Sequence, residues 1–274
     1  MPHRNNFLLN RLDPALLKKL APHLSMVHLE LGQVLAETHQ LVQRVYFPHS
    51  GIISCVVELR GGGAIETGMI GNDGVWGASQ ALDGKVSLNH VVIQVSGTAS
   101  VMDTDQMRQL ASEHPALRDL LVQYEQFFLS HVQQTAACNA AHTVQARACK
   151  WLLRMNDLVG PDLPLTQEFL AHMMGVRRTT VTEVAGKLQK GGLISYSRGH
   201  IHIRDLEQIR ASACECDHDI RSHYRRMFQS NEETSVLHST ASSSSRFRRC
   251  GFGLQGAAPP ELACHRTEDR KSVV

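Results

Sequence analysis

Arg177 and Arg178 stand side by side in a segment, Leu165 to Leu188, whose spacing fits two short helices. Thr166 is placed to cap the first, whose apolar face is Phe169, Leu170 and Met173. Gly175 falls where the chain must turn sharply, at a position that favours a positive φ. The second helix buries Val181, Val184 and Leu188, and two short helices joined this way make a helix-turn-helix. The arginine pair lies in the first turn of the second helix, where the macrodipole disfavours cations, and no Ser, Thr, Asp or Asn caps that end. A local rule broken without local gain points to an outside partner. A DNA phosphate or a guanine edge supplies the missing counter-charge, and bidentate arginine to guanine is the commonest specific base contact. Thr179, Thr180 and Thr182 line the same helix with Glu183 and Lys187. Behind it, Leu193 to Ile203 reads as a hairpin turning at Ser197-Arg198-Gly199-His200, which adds a basic wing.

Other reactive residue types are weaker signals. Cys214-Glu215-Cys216-Asp217-His218, with His223 beyond, has the donors of a zinc site. On a helix, however, residues two apart point about 200° away from each other. Ordinary thiols are the reading taken, with no metal and no cofactor. Cys138 and Cys149 are read as core thiols flanking a hinge. The chain carries no Gly-x-Ser-x-Gly, Walker A or His-Glu-x-x-His pattern, so catalysis has little support and no enzyme is expected.

The 274 residues suffice for one large domain or two modest ones, and 42% hydrophobic against 20% charged residues allows a packed core along most of the length. Mean hydropathy is −0.19, and no apolar run approaches the roughly 18 residues of a membrane helix. The start shows no secretory apolar stretch, and seven scattered cysteines suit a reducing compartment, so a cytoplasmic protein is expected. The net charge of +2 hides an asymmetry: residues 1–142 hold 9 Lys/Arg against 12 Asp/Glu, while residues 164–204 hold 6 against 2. An acidic front and a basic patch suggest a sensing part and a polyanion-binding part.

The elements that must position these residues follow from periodicity. Residues 1–25 have leucines at helical spacing. From Met26 the period becomes two, in short runs around Val27–Leu31, Val34-Leu35, Val45–Phe47, Ile52–Val57, Ile65–Ile70 and Val91–Val95, separated by glycine-rich turns. Many short strands mean an antiparallel roll, barrel or sandwich. After Pro115, Leu117, Leu121, Tyr124, Phe128, His131 and Thr135 alternate steps of four and three. That stripe suits either a partner copy or the chain's own β-domain; a dimer seam through Leu117, Leu121, Tyr124, Phe128 and His131 is the reading taken. Thr143 to Val159 is a further amphipathic helix, and residues 229–274, with four consecutive serines and no period, read as a disordered tail or a non-native end.

Over residues 5–228 the chain resembles the Crp/Fnr family of bacterial transcription regulators. Leu165–Ile203 resembles its winged helix-turn-helix. Leu31-Gly32-Gln33-Val34-Leu35 and Val45-Tyr46-Phe47 with Gly51-Ile52-Ile53 resemble its cyclic-nucleotide-binding-type β-roll, and the helix from Pro115 its dimerisation helix. The resemblance implies an α+β fold: a β-roll sensor over 1–114, a dimerisation helix and hinge over 115–142, and a winged helix-turn-helix over 143–228. It implies a cytoplasmic homodimer on a two-fold DNA operator, working with RNA polymerase. Carried over, Arg178 matches the guanine-reading arginine, with Thr179 and Glu183 also facing bases. Thr166, Gln167 and Thr180 match phosphate contacts, and Arg177, Thr182, Lys187, Arg198 and His200 complete the DNA face. Family members that bind cyclic AMP have a Gly-Glu pair and, about ten residues on, an Arg-Ser pair. Here Gly77 matches, but Ala78, Leu88 and Asn89 fill the other effector-pocket positions, and Arg60, Lys85 and Arg108 lack the motif spacing. A buried phosphate without its arginine is an uncompensated charge, so cyclic AMP is not expected to bind. The alternative is a small-molecule-binding sensor module that still takes a nucleotide or other effector in its β-roll. The N-terminal cysteine cluster of the family's oxygen sensors is absent.

Overall fold

The computed structural model describes residues 2–84 and 86–229. The tail expectation, beyond Gln229, lies outside the described residues, as does Lys85. Two short helices open the fold, α1 (Phe7–Arg11) and α2 (Pro14–Leu20). Asn6 caps α1 by accepting from the Leu8 and Leu9 N–H groups, and Asp13 caps α2 with Pro14 in its first turn. The Asp13-Pro14 pair thus divides the single helix expected over 1–25.

Seven strands follow: β1 (Ser25–Leu29), β2 (Val34–Ala36), β3 (Arg44–Pro48), β4 (Ile52–Glu58), β5 (Ala64–Ile70), β6 (His90–Val95) and β7 (Gly97–Asp103). They form two antiparallel sheets, ordered β1-β7-β3 and β2-β6-β4-β5. The sequence reading missed β7 because polar Thr98 and Ser100 break its apolar period. Ser100 is nonetheless buried, within 2.7 Å of both His3 Nδ1 and His49 Nε2. Asp103 then caps α3 (Thr104–Glu113), also missed.

The long helix α4 (Pro115–Ala141) comes next. Its buried face carries Leu117, Leu120, Leu121, Tyr124, Phe127, His131, Thr135 and Cys138. The dimer seam read through Leu117, Leu121, Tyr124, Phe128 and His131 is therefore corrected: those side chains are packed inside their own chain. The Tyr124 ring lies over Gly74 and the Phe128 ring over Gly68, so closely that a Cβ on either glycine would collide with the ring. Burial, with Arg154 and Lys150 nearby, pushes the His131 imidazole well below its usual range and keeps it neutral. Both stripe readings shared one period, and in the structure that face packs on β5, α3 and α9 of its own chain.

Beyond α4 lie α5 (Val144–Val159), strand β8 (Asp162–Pro164), α6 (Gln167–Met174), α7 (Arg178–Lys190), the hairpin β9 (Ile194–Ser197) and β10 (His200–Ile203), and helices α8 (Leu206–Ser212) and α9 (Cys216–Phe228). Although α9 follows the winged unit in the chain, it packs into the N-terminal core. Tyr224 meets Phe127 edge-on at 5.1 Å and Phe228 at 4.8 Å, and Phe228 is fully buried among Leu8, Leu9 and their neighbours. Such aromatic pairs contribute about 0.5–1.5 kcal/mol each beyond area burial. The Tyr224 hydroxyl donates to the Asp73 carbonyl at 2.8 Å, and Gln123 donates to the Met227 carbonyl at 2.8 Å. The boundary at 143–228 thus encloses a winged unit plus one helix that belongs to the other core. Among the described residues no helix is long and apolar enough to cross a membrane.

One buried acid makes the fold's stability depend on pH. Glu66 on β5 is 1% exposed, and burial pushes its carboxyl up to about 8 despite the Lys150 and Arg154 charges. An unfolded glutamate titrates near about 4.3. Between those values the folded chain holds a proton that the unfolded chain has lost, so stability falls as pH rises. Glu66→Gln is expected to flatten the decline in melting temperature from pH 5 to 8.5; a variant that parallels the wild type would remove Glu66 as its source.

Candidate nucleic-acid interface

The helix-turn-helix is α6, a tight turn and α7. Thr166 caps α6, its hydroxyl accepting from the Phe169 N–H at 3.1 Å. Leu170, Ala171, Met173 and Met174 form its buried face. Gly175 ends the helix in the left-handed region, φ 60°, where a side chain is disfavoured. A Cβ there would also come within 2.9 Å of Ile65 Cγ1 on β5. From the other side, the buried guanidinium of Arg147 on α5 donates to the Met174 carbonyl, one residue before the turn. The angle between the helices is thus fixed by glycine geometry, by the β4–β5 hairpin and by an arginine that the sequence reading passed over.

Arg177 sits at the N-cap of α7 with no side-chain cap, and Arg178 opens the helix. Val181, Val184, Ala185 and Leu188 face inward, while Arg177, Arg178, Thr179, Thr182, Glu183 and Lys187 are exposed and Thr180 is half-buried. Among the described residues no carboxylate pairs with Arg177, Arg178, Lys187 or Arg198. The wing turns through Arg198 and Gly199, at φ 48° and 81°. Positive φ at both central positions is the hairpin turn that suits strand twist, and it holds Arg198 at the tip. β8 joins the hairpin as a third strand, in the order β8-β10-β9.

Three contacts make these pieces one surface. The Thr182 hydroxyl donates to Gln167 Oε1 at 2.8 Å, tying α7 to the start of α6. The Gln167 N–H donates to the Tyr196 hydroxyl at 3.2 Å, tying α6 to the wing. Gly199 lies so near Thr166 that a Cβ would stand 3.3 Å from Thr166 Cγ2. Gln167 and Thr182 therefore spend polar groups on each other, and Tyr196 joins them, an anchoring residue that β-strand periodicity could not distinguish from core. The surface presents unpaired guanidinium groups and hydroxyls on a rigid convex helix, which is what a duplex groove with phosphate rims accepts.

The expected effector positions do not come together. Ala78 is fully buried in the N-terminal core, whereas Leu88 is 72% exposed. Gly77 is required by its backbone, at φ 92° with a virtual Cβ 2.8 Å from the Arg44 carbonyl. Asn89 is half-buried, its N–H directed at the Ser87 hydroxyl at 3.3 Å. The Ser79 N–H, just beyond the Gly77-Ala78 pair, donates to the Glu125 carboxylate of α4 at 3.1 Å. Arg108 is occupied by the Gln80 and Ala81 carbonyls, both at 3.0 Å.

Comparison with known proteins agrees with this geometry. Residues 146–212 match the family model of the Crp-like helix-turn-helix domain. The global nitrogen regulator of Synechocystis sp. is 24% identical over 173 residues, which is 60% of this chain and 77% of that protein. The solved structure of FixK2 from Bradyrhizobium japonicum superposes with a TM-score of 0.61 at 13% identity, covering 70% of this chain and 98% of its own. A Crp/Fnr-family transcriptional regulator from Eubacterium rectale gives 0.58 at 17%, covering 75% and 96%. The fold is that of these solved Crp/Fnr-type structures. Within it, residues 146–212 are a Crp-like helix-turn-helix domain.

Gly175→Ala is expected to cost about 1–2 kcal/mol for the left-handed conformation, plus the contact with Ile65. Adding Ile65→Ala should recover only the contact part, so the two substitutions should be non-additive in urea unfolding. Additivity within about 0.3–0.5 kcal/mol would mean the turn does not rest on β5.

Proposed function

We propose that this chain is a homodimeric, sequence-specific DNA-binding transcription regulator of the Crp/Fnr type, acting with RNA polymerase and answering a signal other than cyclic AMP. The observation that carries it is the exposed, uncapped arginine start of α7, held on one surface with a basic wing. Arg178 reads a guanine edge in this proposal, while Arg177, Thr166, Lys187, Arg198 and His200 hold the backbone; Thr179 and Glu183 face the bases. Gln167 and Thr182 act mainly by locking α6 to α7. The reading against cyclic AMP is supported by the dispersed effector positions and by Glu125, which supplies a carboxylate where an incoming phosphate would be repelled.

The dimer is assigned to the outward face of α4. Val122, Leu129 and Ala136 recur there every seven residues, with Val132 and Ala140 beside them. Leu129 is 58% exposed, and the alanines would let a second copy approach closely.

Arg178→Ala should weaken cognate binding by about 1–3 kcal/mol and relax preference at one base pair per half-site. Arg198→Ala should weaken all sequences alike and lower the salt slope by roughly one per contact. Cyclic AMP should change neither affinity. Gel shifts on cognate and scrambled DNA at two salt concentrations, with and without the nucleotide, measure all three. Equal loss on both DNAs for Arg178→Ala would make it a phosphate clamp.

Leu129→Glu should give a folded monomer on sizing, with operator affinity reduced to that of one half-site. Leu121→Glu should instead destroy the fold, since it puts a charge in the chain's own core. A dimeric Leu129→Glu would move the seam off this stripe.

A further inference from the structure

Four soft donors converge away from the DNA face, at the junction of α4 with the α8–α9 linker. Cys138 and His142 lie one turn apart at the end of α4, and Cys214 and Cys216 flank the start of α9. Their donor atoms all lie within 4.8 Å of one another. Cys138 Sγ and Cys214 Sγ are 3.5 Å apart, as are Cys216 Sγ and His142 Nδ1. The objection that Cys214 and Cys216 point apart on a helix fails, because α8 ends at Ser212 and Cys214 belongs to the linker. Ala213 is extended and Glu215 already helical, and on either side of that change of direction the Cys214 and Cys216 thiols both face the end of α4. The sequence reading grouped Cys138 with Cys149 as core thiols and gave His142 no role.

We propose that Cys138, His142, Cys214 and Cys216 form a mononuclear tetrahedral site for Zn2+. With Zn–S near 2.3 Å and Zn–N near 2.05 Å, a tetrahedron places S···S about 3.8 Å and S···N about 3.5 Å apart. The observed separations match one ion; a four-iron cluster, with iron atoms between the sulfurs, needs the thiols much farther apart. The cysteines are free thiols, and a sulfur pair at 3.5 Å is far beyond disulfide length.

The surroundings fit a metal site. His142 Nε2 is 3.0 Å from the Glu215 carboxylate, the outer carboxylate that orients a ligating imidazole and leaves Nδ1 free for the ion. The Gln134 amide donates to Cys216 Sγ at 3.2 Å. Three thiolates and a neutral imidazole on Zn2+ carry a net charge of −1. Lys150 lies buried nearby, coupled electrostatically to the three sulfurs, and no carboxylate pairs with it among the described residues. Its hydrogen bond is to the neutral Thr135 hydroxyl. A net-negative centre would compensate it. Binding releases the three thiol protons to solvent and pins α9 to α4.

The test uses the full chain, purified without an affinity tag. Elemental analysis should give one zinc per chain, and cobalt(II) exchanged into the protein should show thiolate charge transfer with the visible bands of a tetrahedral ion. Cys214→Ser and Cys216→Ser should each abolish stoichiometric zinc. Since those variants could misfold, Glu215→Gln, whose side chain is exposed, gives a second measure: a roughly 10–100-fold weaker zinc affinity against a competing chelator, at unchanged stoichiometry. A wild-type chain with no tightly bound zinc, zinc retained in both serine variants, or iron with sulfide in place of zinc would each overturn the proposal.

Discussion

A helix of 27 residues, about 40 Å long, cannot be buried on every side by a chain of this size. The rest of the structure depends on how α4 divides its circumference. One face is spent inside the chain, against the β-roll glycines, α3 and α9. Tyr124, Phe127 and Phe128 supply the bulk of that contact, and Gly68 and Gly74 are small because the rings lie directly on them. The opposite face keeps Val122, Leu129 and Ala136, too few large groups for an internal core and too regular to be scattered surface. The C-terminal end of the helix carries Cys138, buried, and His142 at the cap. The core-facing stripe, the outward stripe proposed as the dimer seam and the donor cluster thus all belong to one helix.

That division explains what the sequence could and could not reveal. Strands with Val, Ile and Phe alternation were legible because one face of each is buried, and the helix-turn-helix because Gly175 and the misplaced arginines are local signals. The inner stripe of α4 was found correctly as a period and assigned to the wrong partner, since periodicity names a buried face without naming what buries it. Strand β7 was invisible because Ser100 is buried by hydrogen bonds to His3 and His49, an arrangement no hydropathy pattern records. The donor cluster was missed for a related reason: its two pairs lie more than 70 residues apart, and the helix argument applied to Cys214 and Cys216 depended on a boundary the sequence does not mark.

The helix-turn-helix surface was the most legible part, and the structure adds which of its side chains have no partner within the chain among the described residues. Gln167 and Thr182 satisfy one another, so their loss would disturb the angle between α6 and α7 before it removed a contact with DNA. Arg178 and Arg198 have no such internal duty. Placing a cation at the start of a helix costs a few tenths of a kcal/mol to about 1 kcal/mol in the free protein. That cost is offset only when an anion or a base acceptor arrives, which favours the bound state over the free one.

The ties between the two cores converge on one strand. Arg154 on α5 holds Asp73 with two hydrogen bonds, at 2.6 and 3.1 Å, and also donates to the Met69 carbonyl at the end of β5. Leu158 of the same helix fills the space over Gly71, and the Gly175 turn rests on Ile65. All of these contacts end on β5 or the loop that follows it. A shift of that strand cannot be absorbed by α5 alone, because packed side chains of this kind resist gradual deformation. It must either break the Arg154–Asp73 pair, leaving a largely buried charge unpaired, or carry α6 and the turn with it. Either way the position of α6 and its turn is tied to β5, the strand on which α5 and Gly175 both rest.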